Sequence, residues 1–247
     1  MTGTPSPNNT IAGGTVTLEI ARGDSGGGKT RFEIPVLSAH ARVLDALNWI
    51  REHEDPTLGF RYACRVGMCG SCAIVVNGKE ALACQMTIGE IEDTTIRVEP
   101  LRGLPVQHDL IVDMRPFFAG LARAEAALRP RDPGRRDLSV MPPASNERTT
   151  IEAQNGCITC GACTSAIADE ALDENAVGPA ALNRLLMLVL EERDSAGNAR
   201  LAGIAAEVQT LSTDAIARAE SVCPANIPLA STLEQLKSLI ADHDRGG

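Results

Sequence analysis

The sequence predicts an α+β protein with two domains, a sheet domain that carries one helix and then a domain made of helices. Apolar and polar residues alternate up to about residue 98, as they do along half-buried strands. After residue 105 the apolar residues lie three and four positions apart, which is the spacing of amphipathic helices. Pro100, Pro105 and the glycine between them separate the two patterns, so we expect domains over 15–104 and 105–247.

The chain is expected to begin with a flexible polar tail, residues 1–14, and then a β-hairpin. Two alternating segments predict the two strands, and the Gly-rich stretch 23–28 predicts the loop between them. The apolar positions of these strands are Val16, Leu18, Ile20, Phe32, Ile34 and Val36. A helix capped by Ser38 should follow, because the next apolar residues recur at helical spacing. These residues are Val43, Leu44, Leu47 and Ile50.

Four cysteines follow the predicted helix in the pattern C-x4-C-x2-C, with the fourth after eleven intervening residues. They are Cys64, Cys69, Cys72 and Cys84. This is the plant-type pattern of [2Fe-2S] ligands. Asn77-Gly78 predicts a hairpin turn, which would bring Cys84 back to the other three cysteines. A zinc site or disulfides are the alternatives, but zinc sites usually pair two C-x2-C units.

The order strand–strand–helix–loop–strands, closed by a strand through Ile96 and Val98, is that of a β-grasp, plant-type 2Fe-2S ferredoxin-like domain. In the all-α domain that follows, residues 109–128 predict a helix interrupted by Pro116. Residues 129–148, with five arginines and four prolines, predict an exposed connection. Two later helices are predicted from their apolar residues, which are Leu182, Leu185, Leu186 and Leu190 in one and Leu229, Leu233, Leu236 and Ile240 in the last.

A second set of cysteines lies in the predicted helical domain. Cys157, Cys160 and Cys163 form C-x2-C-x2-C, which opens a bacterial-type [4Fe-4S] run. The run normally continues with a cysteine and a proline, but here Ile167 and Ala168 follow. The fourth ligand of such a cluster comes from a distant Cys-Pro pair, and Cys223-Pro224 supplies one. Two four-cysteine sites therefore use all eight cysteines; a zinc site of the second four is the alternative.

Composition excludes several classes of function. The net charge is −9 and aromatic residues make up 2% of the chain, which argues against nucleic-acid binding. No basic-then-apolar leader is visible, and no apolar run approaches the ~20 residues that a membrane helix requires. We therefore expect a cytoplasmic protein whose thiols stay reduced. No catalytic residue is identified, because His40, His53, His108 and His243 are isolated in the sequence.

Over residues 15–245 the sequence resembles the iron–sulfur subunit of succinate dehydrogenase and fumarate reductase. The resemblance lies in motifs that occur in the family's order, namely 44–50, 55–58, 61–72, 82–84, Pro105-Val106 with Asp109-Leu110, 157–166, and Cys223-Pro224. It implies that this chain binds [2Fe-2S] close to the FAD of a partner flavoprotein subunit. It also implies a helical domain with [4Fe-4S] and [3Fe-4S], the last of which serves a quinone at a membrane anchor.

The sequence departs from this family at the third cluster. The [3Fe-4S] ligands would be cysteines where this chain has Ile167, Thr213 and Ala219, and a family histidine is replaced by Asp214. The family's Cys-Pro and following Trp are replaced by residues 167–172. We therefore expect two clusters, and a soluble electron carrier or further subunit in place of the membrane anchor.

Two other interpretations stay open. The chain is alternatively a genuine succinate:quinone oxidoreductase subunit that tolerates the loss of the third cluster, or a free-standing two-cluster ferredoxin or redox sensor. Arg65, within the first cysteine loop, either tunes the cluster potential or faces the flavoprotein, or it forms a loop salt bridge.

Overall fold

The computed structural model describes residues 14–24, 27–36, 38, 40–132, 134, 142–170 and 177–246. The chain divides into two compact units, Met1–Asp113 and Met114–Gly247. The strands of the described residues are β1 (Thr15–Arg22), β2 (Gly28–Pro35), β3 (Ala73–Val76), β4 (Lys79–Leu82), β5 (Thr95–Glu99), β6 (Val106–His108) and β7 (Ile111–Val112). The helices are α1 (Val43–His53), α2 (Arg115–Arg123), α3 (Asn146–Gln154), α4 (Ala162–Ser165), α5 (Gly178–Val189), α6 (Gly197–Thr210), α7 (Thr213–Ser221) and α8 (Leu229–Gly246).

The first unit contains a five-stranded sheet in the order β2-β1-β5-β3-β4. Strands β1 and β2 form the predicted hairpin, and β1 also pairs in parallel with β5. Strand β3 is antiparallel to both β4 and β5. Leu18, Ile20, Ile34, Ile96 and Val98 are buried, as their alternation predicts. The predicted sheet-and-helix domain is confirmed.

Helix α1 begins four residues later than a Ser38 cap would require, so that expectation is wrong. Arg42 occupies the N-cap position, and its backbone N–H donates to the Asp45 carboxylate at 2.9 Å. An acidic side chain in the first turn is favourable because it faces the free N–H groups and the positive end of the helix dipole. The backbone N–H of Leu44 donates to the carbonyl of Ala83 at 2.9 Å, which ties the start of α1 to the segment that carries Cys84.

The division between the two units lies nine residues later than predicted. Residues 106–112 form the β6–β7 hairpin, and the helix expected from residue 109 begins only at Arg115. The fully buried Asp109 carboxylate fixes this hairpin to the first unit. It accepts hydrogen bonds from the backbone N–H groups of Gly23 at 2.7 Å and Gly59 at 2.8 Å. These partners are far away in sequence, so local patterns gave no sign of the attachment.

The start of the helical unit corrects two further details. Pro116 lies in the first turn of α2, where a missing N–H is tolerated, so it does not interrupt the helix. The described part of the predicted connection is mostly exposed, but it is hydrogen-bonded to the segment between α5 and α6. The backbone N–H of Arg131 donates to the carbonyl of Arg193 at 3.0 Å. Helix α3 begins within the predicted connection, and residues 133 and 135–141 lie outside the described residues.

The helical unit has its own hydrophobic core. Helix α5 buries most of its length, as predicted, and the predicted stripe Leu229, Leu233, Leu236 and Ile240 of α8 is buried too. Arg200 and Asp194 form an ion pair in which both side chains are fully buried. The distance from Arg200 Nη2 to Asp194 Oδ2 is 3.0 Å. Arg200 also donates to the carbonyl of Ala127 at 2.7 Å, which compensates part of its buried charge, while its buried Nε has no hydrogen-bond partner among the described residues.

Among the helices that the structure describes, none combines the length and the hydrophobicity that a membrane span would need.

Candidate metal centres

The first cysteine set lies at one end of the β3–β4 hairpin. Cys64, Cys69 and Cys72 occupy the loop before β3, and Cys84 follows β4. Asn77 and Gly78 form the predicted turn, with φ angles of 48° and 82° that suit a two-residue hairpin loop. Because the backbone N–H of Ala83 donates to the carbonyl of Cys72 at 3.0 Å, Cys84 is held beside Cys72.

Backbone N–H groups of the cysteine loop point at its sulfur atoms. The N–H groups of Met68 and Cys69 each lie 3.3 Å from Cys64 Sγ, and the N–H of Cys64 lies 3.5 Å from Cys69 Sγ. Gly67, at a φ of 76°, supplies the left-handed turn that this arrangement needs. Successive N–H groups directed inward form a concave site for anionic sulfur.

The thiols of this set differ in their ease of ionisation. A hydrogen bond from the Ser71 side chain, together with backbone N–H groups, lowers the pKa of the Cys69 thiol to about 6. Burial, together with charge on Cys84 and Cys69, raises the pKa of the Cys72 thiol to about 12. A metal centre binds thiolates, so it would compensate the charge that opposes ionisation of Cys72.

Arg65 forms a salt bridge, but its partner lies outside the cysteine loop. Its guanidinium lies 3.0 Å from Asp45 Oδ1, so it links the cysteine loop to the first turn of α1. Both side chains are partly exposed, so the pair itself contributes little to stability. Val66 and Met68 on either side of Gly67 are largely exposed apolar residues.

The second cysteine set gathers around the short helix α4. Cys157 and Cys160 precede it, Cys163 lies within it, and Cys223 follows α7. Burial raises the pKa of Cys163 to about 12 and that of Cys160 to about 11, and both values respond to charge on Cys157 and Cys223. The four predicted ligands therefore lie close enough to influence one another.

Cys223 also receives a backbone donor. The N–H of Ile227 lies 3.4 Å from Cys223 Sγ, and the N–H of Asn226 donates to the Cys223 carbonyl at 3.1 Å. The turn after Cys223 is therefore folded around the sulfur. Pro224 lies inside this turn, where it has no N–H to leave unpaired.

The donors of both sets fit iron–sulfur clusters. Each set offers four cysteine sulfurs, and backbone N–H groups directed at sulfur are the contacts that stabilise such clusters. The described residues contain no group of three or more His, Cys, Asp or Glu side chains placed to hold a single metal ion. The fit therefore rests on two observations. Charge on neighbouring cysteines affects the pKa of Cys72, Cys160 and Cys163, and backbone N–H groups point at the sulfurs.

The positions expected for a third set of ligands lie in and beside the helical core. Ile167 and Ala219 are fully buried in the apolar cluster that contains Ala215 and Ile216. Thr213 and Asp214 are exposed in the first turn of α7. Residues 171 and 172, which belong to the replaced Cys-Pro-Trp segment, lie outside the described residues.

Arg218, which lies in α7, binds the segment that follows Ile167. Its guanidinium lies 2.9 Å from Asp169 Oδ1 and 2.8 Å from Glu170 Oε1. The same side chain lies 3.4 Å from the carbonyl of Ala166. A segment that begins immediately after the second cysteine loop is thus held by charge pairs at the surface.

Two residues without a predicted role contact cysteine sulfurs. Ser71 donates to Cys69, and the side-chain amide Nε2 of Gln85 lies 3.6 Å from Cys84 Sγ. No sequence signal distinguishes either residue, because serine and glutamine are common in exposed loops. Two of the isolated histidines have ordinary partners: His53 stacks on Trp49 at 4.7 Å, and His108 Nδ1 lies 3.2 Å from Asp24.

Comparison with known proteins agrees with both cysteine-bearing units. A family model described as "2Fe-2S iron-sulfur cluster binding domain" matches residues 17–119. The fumarate reductase iron-sulfur subunit of Mycobacterium tuberculosis is 32% identical over 212 residues, which cover 86% of this chain and 85% of the relative. The Wolinella succinogenes subunit of the same name is 32% identical over 202 residues, with 79% and 82% covered.

A solved structure extends the agreement to the fold. A chain of the Mycobacterium smegmatis Sdh1 complex in the apo form matches with a TM-score of 0.82 and 24% identity, covering 95% of this chain and 98% of that one. The predicted α+β architecture is confirmed over both units. The chain belongs to the family of fumarate reductase iron–sulfur subunits, and its role is electron transfer in an oxidoreductase complex.

Proposed function

We propose that this subunit carries two clusters, a [2Fe-2S] and a [4Fe-4S], and relays electrons between a FAD-containing flavoprotein subunit and a carrier other than a membrane quinone. The observation that supports this most directly is the cysteine count. All eight cysteines fall into two groups of four, and the family resemblance implies that Ile167, Thr213 and Ala219 stand where a third cluster would need thiolates.

Each group of residues has a defined task in this proposal. Cys64, Cys69, Cys72 and Cys84 would hold the [2Fe-2S] cluster, and Cys157, Cys160, Cys163 and Cys223 the [4Fe-4S] cluster. Once bound, these clusters supply one-electron chemistry. The backbone N–H groups of Met68, Cys69 and Ile227 offset negative charge on sulfur, and burial of Cys72 limits the access of water to the first site.

The missing third cluster changes the external end of the relay. The buried Ile167 and Ala219 occupy core space with hydrocarbon, and protein interiors leave few voids of cluster size. The [4Fe-4S] site then becomes the terminal site of this subunit. We therefore assign the external exchange to a soluble electron carrier or a further subunit, and not to a membrane anchor.

The proposed partner is a flavoprotein subunit, in which FAD handles the organic substrate. The names of the relatives describe subunits of reductase complexes, which supports a partner of this kind. This chain contributes no catalytic residue in the proposal. Its proposed location is the cytoplasm, where reduced thiols are available for cluster assembly.

The proposal is tested by isolating the chain with its native partners. An affinity-tagged chain, expressed at its natural level, should copurify with a flavin-bearing subunit in a fixed ratio, and untagged cells provide the background control. Recovery of the chain alone with both clusters filled would favour the free-standing ferredoxin. Recovery with a quinone-binding membrane subunit would favour the succinate:quinone oxidoreductase.

A further inference from the structure

The side chain of Gln85 lies across the junction between Cys84 and the first cysteine loop. Its Nε2 is 3.6 Å from Cys84 Sγ and 3.2 Å from the Cys84 carbonyl oxygen, so the two N–H bonds of one amide face the sulfur and the oxygen. The carboxamide also lies against Gly67. A Cβ placed on Gly67 would meet Gln85 Cδ at 3.0 Å and Nε2 at 3.1 Å.

The backbone of Gln85 is held on both sides, so its side chain has a fixed origin. Its N–H donates to the carbonyl of Leu82 at 2.8 Å, and its own carbonyl accepts from Arg42 at 2.7 Å. Arg42 also hydrogen-bonds the hydroxyl of Thr87. Gln85 is therefore anchored to the start of α1 and covers a sulfur that is itself buried.

The geometry points to Gln85 as the residue that raises the reduction potential of the proposed [2Fe-2S] centre, acting through the sulfur of Cys84. This inference rests on the proposed function, since it requires that Cys84 be a cluster ligand. Reduction adds negative charge to the cluster, and part of that charge resides on the sulfur ligands. An N–H donor to sulfur stabilises the more negative, reduced state and shifts the potential upward.

Two substitutions separate the donor from the bulk of the side chain. Gln85→Met keeps length and flexibility but removes the N–H groups, so the [2Fe-2S] potential should become more negative. Gln85→Glu keeps the shape and replaces a donor with a charged acceptor, so the potential should fall further than in Gln85→Met. Gln107→Met is the matched control, because Gln107 is an exposed glutamine of the same unit whose side-chain oxygen lies 3.2 Å from Arg61.

The measurement is a redox titration of the [2Fe-2S] signal in the purified full-length chain with its partner, followed by electron paramagnetic resonance. We expect the order wild type, Gln85→Met, Gln85→Glu from highest to lowest potential, with Gln107→Met equal to wild type. Unchanged potentials in both Gln85 variants, with the cluster retained, would overturn the inference. If Gln85→Met loses its cluster, the inference is judged from the potential of Gln85→Glu alone. A lower potential supports it, and an unchanged potential overturns it. Wild-type protein without a [2Fe-2S] signal would instead refute the proposed function.

Discussion

Replacing Cys223 with serine is expected to remove most of the four iron atoms of the second site and to leave the [2Fe-2S] site filled. Cys223 is the only cysteine outside residues 157–163 in the helical unit, and charge on it affects both Cys160 and Cys163. A cluster left with three thiolates loses affinity, because a serine hydroxyl ionises far less readily than a thiol. Iron in the chain should fall from about six to about two atoms, the sum that remains for a two-iron cluster.

Iron and sulfide analysis, with the absorption and resonance spectra of reduced samples, measures this outcome. Cys84→Ser is the matched control and should produce the reverse pattern, with about four iron atoms retained in the [4Fe-4S] site. The two units are compact by themselves, so damage at one site should not spread to the other. Full [4Fe-4S] content in Cys223→Ser would show that another group supplies the fourth ligand.

Replacing Asp109 with asparagine is expected to destabilise the first unit by about 3 kcal/mol, the scale seen when one partner of a buried ionic pair is removed. Both carboxylate oxygens of Asp109 accept hydrogen bonds, from Gly23 and Gly59, and Arg22 lies 3.0 Å from Oδ1. Asparagine offers one oxygen and one NH2 group, so one buried backbone N–H would face another donor. Guanidinium unfolding of the full-length chain, followed by circular dichroism, measures the difference.

The effect should depend on pH in a defined direction. Burial alone would raise the pKa of the Asp109 carboxyl, but the N–H groups of Gly59 and Gly23 and the Arg22 guanidinium hold it below its usual range. A lowered pKa in the folded state adds stability above the unfolded value of about 3.9, and that stability is lost as the pH falls through the folded pKa. The gap between wild type and Asp109→Asn should therefore be full at pH 7 and shrink below about pH 4. A gap independent of pH would contradict this account of Asp109.

The exposed Asp132→Asn provides a matched control for this substitution. Asp132 lies in an exposed segment of the other unit and accepts from the backbone N–H of Gly134 at 3.0 Å. Surface substitutions of this kind usually change stability by less than about 0.5 kcal/mol.

The sequence predicts those parts of the fold that depend on local patterns. Alternation located β1, β2 and β5, and Asn77-Gly78 located the turn that brings Cys84 beside Cys72. Cysteine spacing predicts both candidate ligand sets, because cluster ligation imposes short, fixed separations along the chain. Helix α8 followed from a single apolar stripe.

The features that the sequence could not predict depend on contacts between distant residues. Asp109 fixes the β6–β7 hairpin through Gly23 and Gly59, and no local pattern connects these positions. The start of α1 depends on Asp45 and Arg42, although Ser38 looked like a better cap by residue type. Gln85 acquires its contact with sulfur only because the hairpin folds its segment against Gly67.

We propose that this family member holds two clusters and lacks the third. The most direct measurement is iron and sulfide analysis of the purified native complex, combined with resonance spectra of oxidised and reduced samples. Our account predicts about six iron atoms in this chain, [2Fe-2S] and [4Fe-4S] signals after reduction, and no [3Fe-4S] signal after oxidation. About nine iron atoms, with a stoichiometric [3Fe-4S] signal in the oxidised sample, would contradict it.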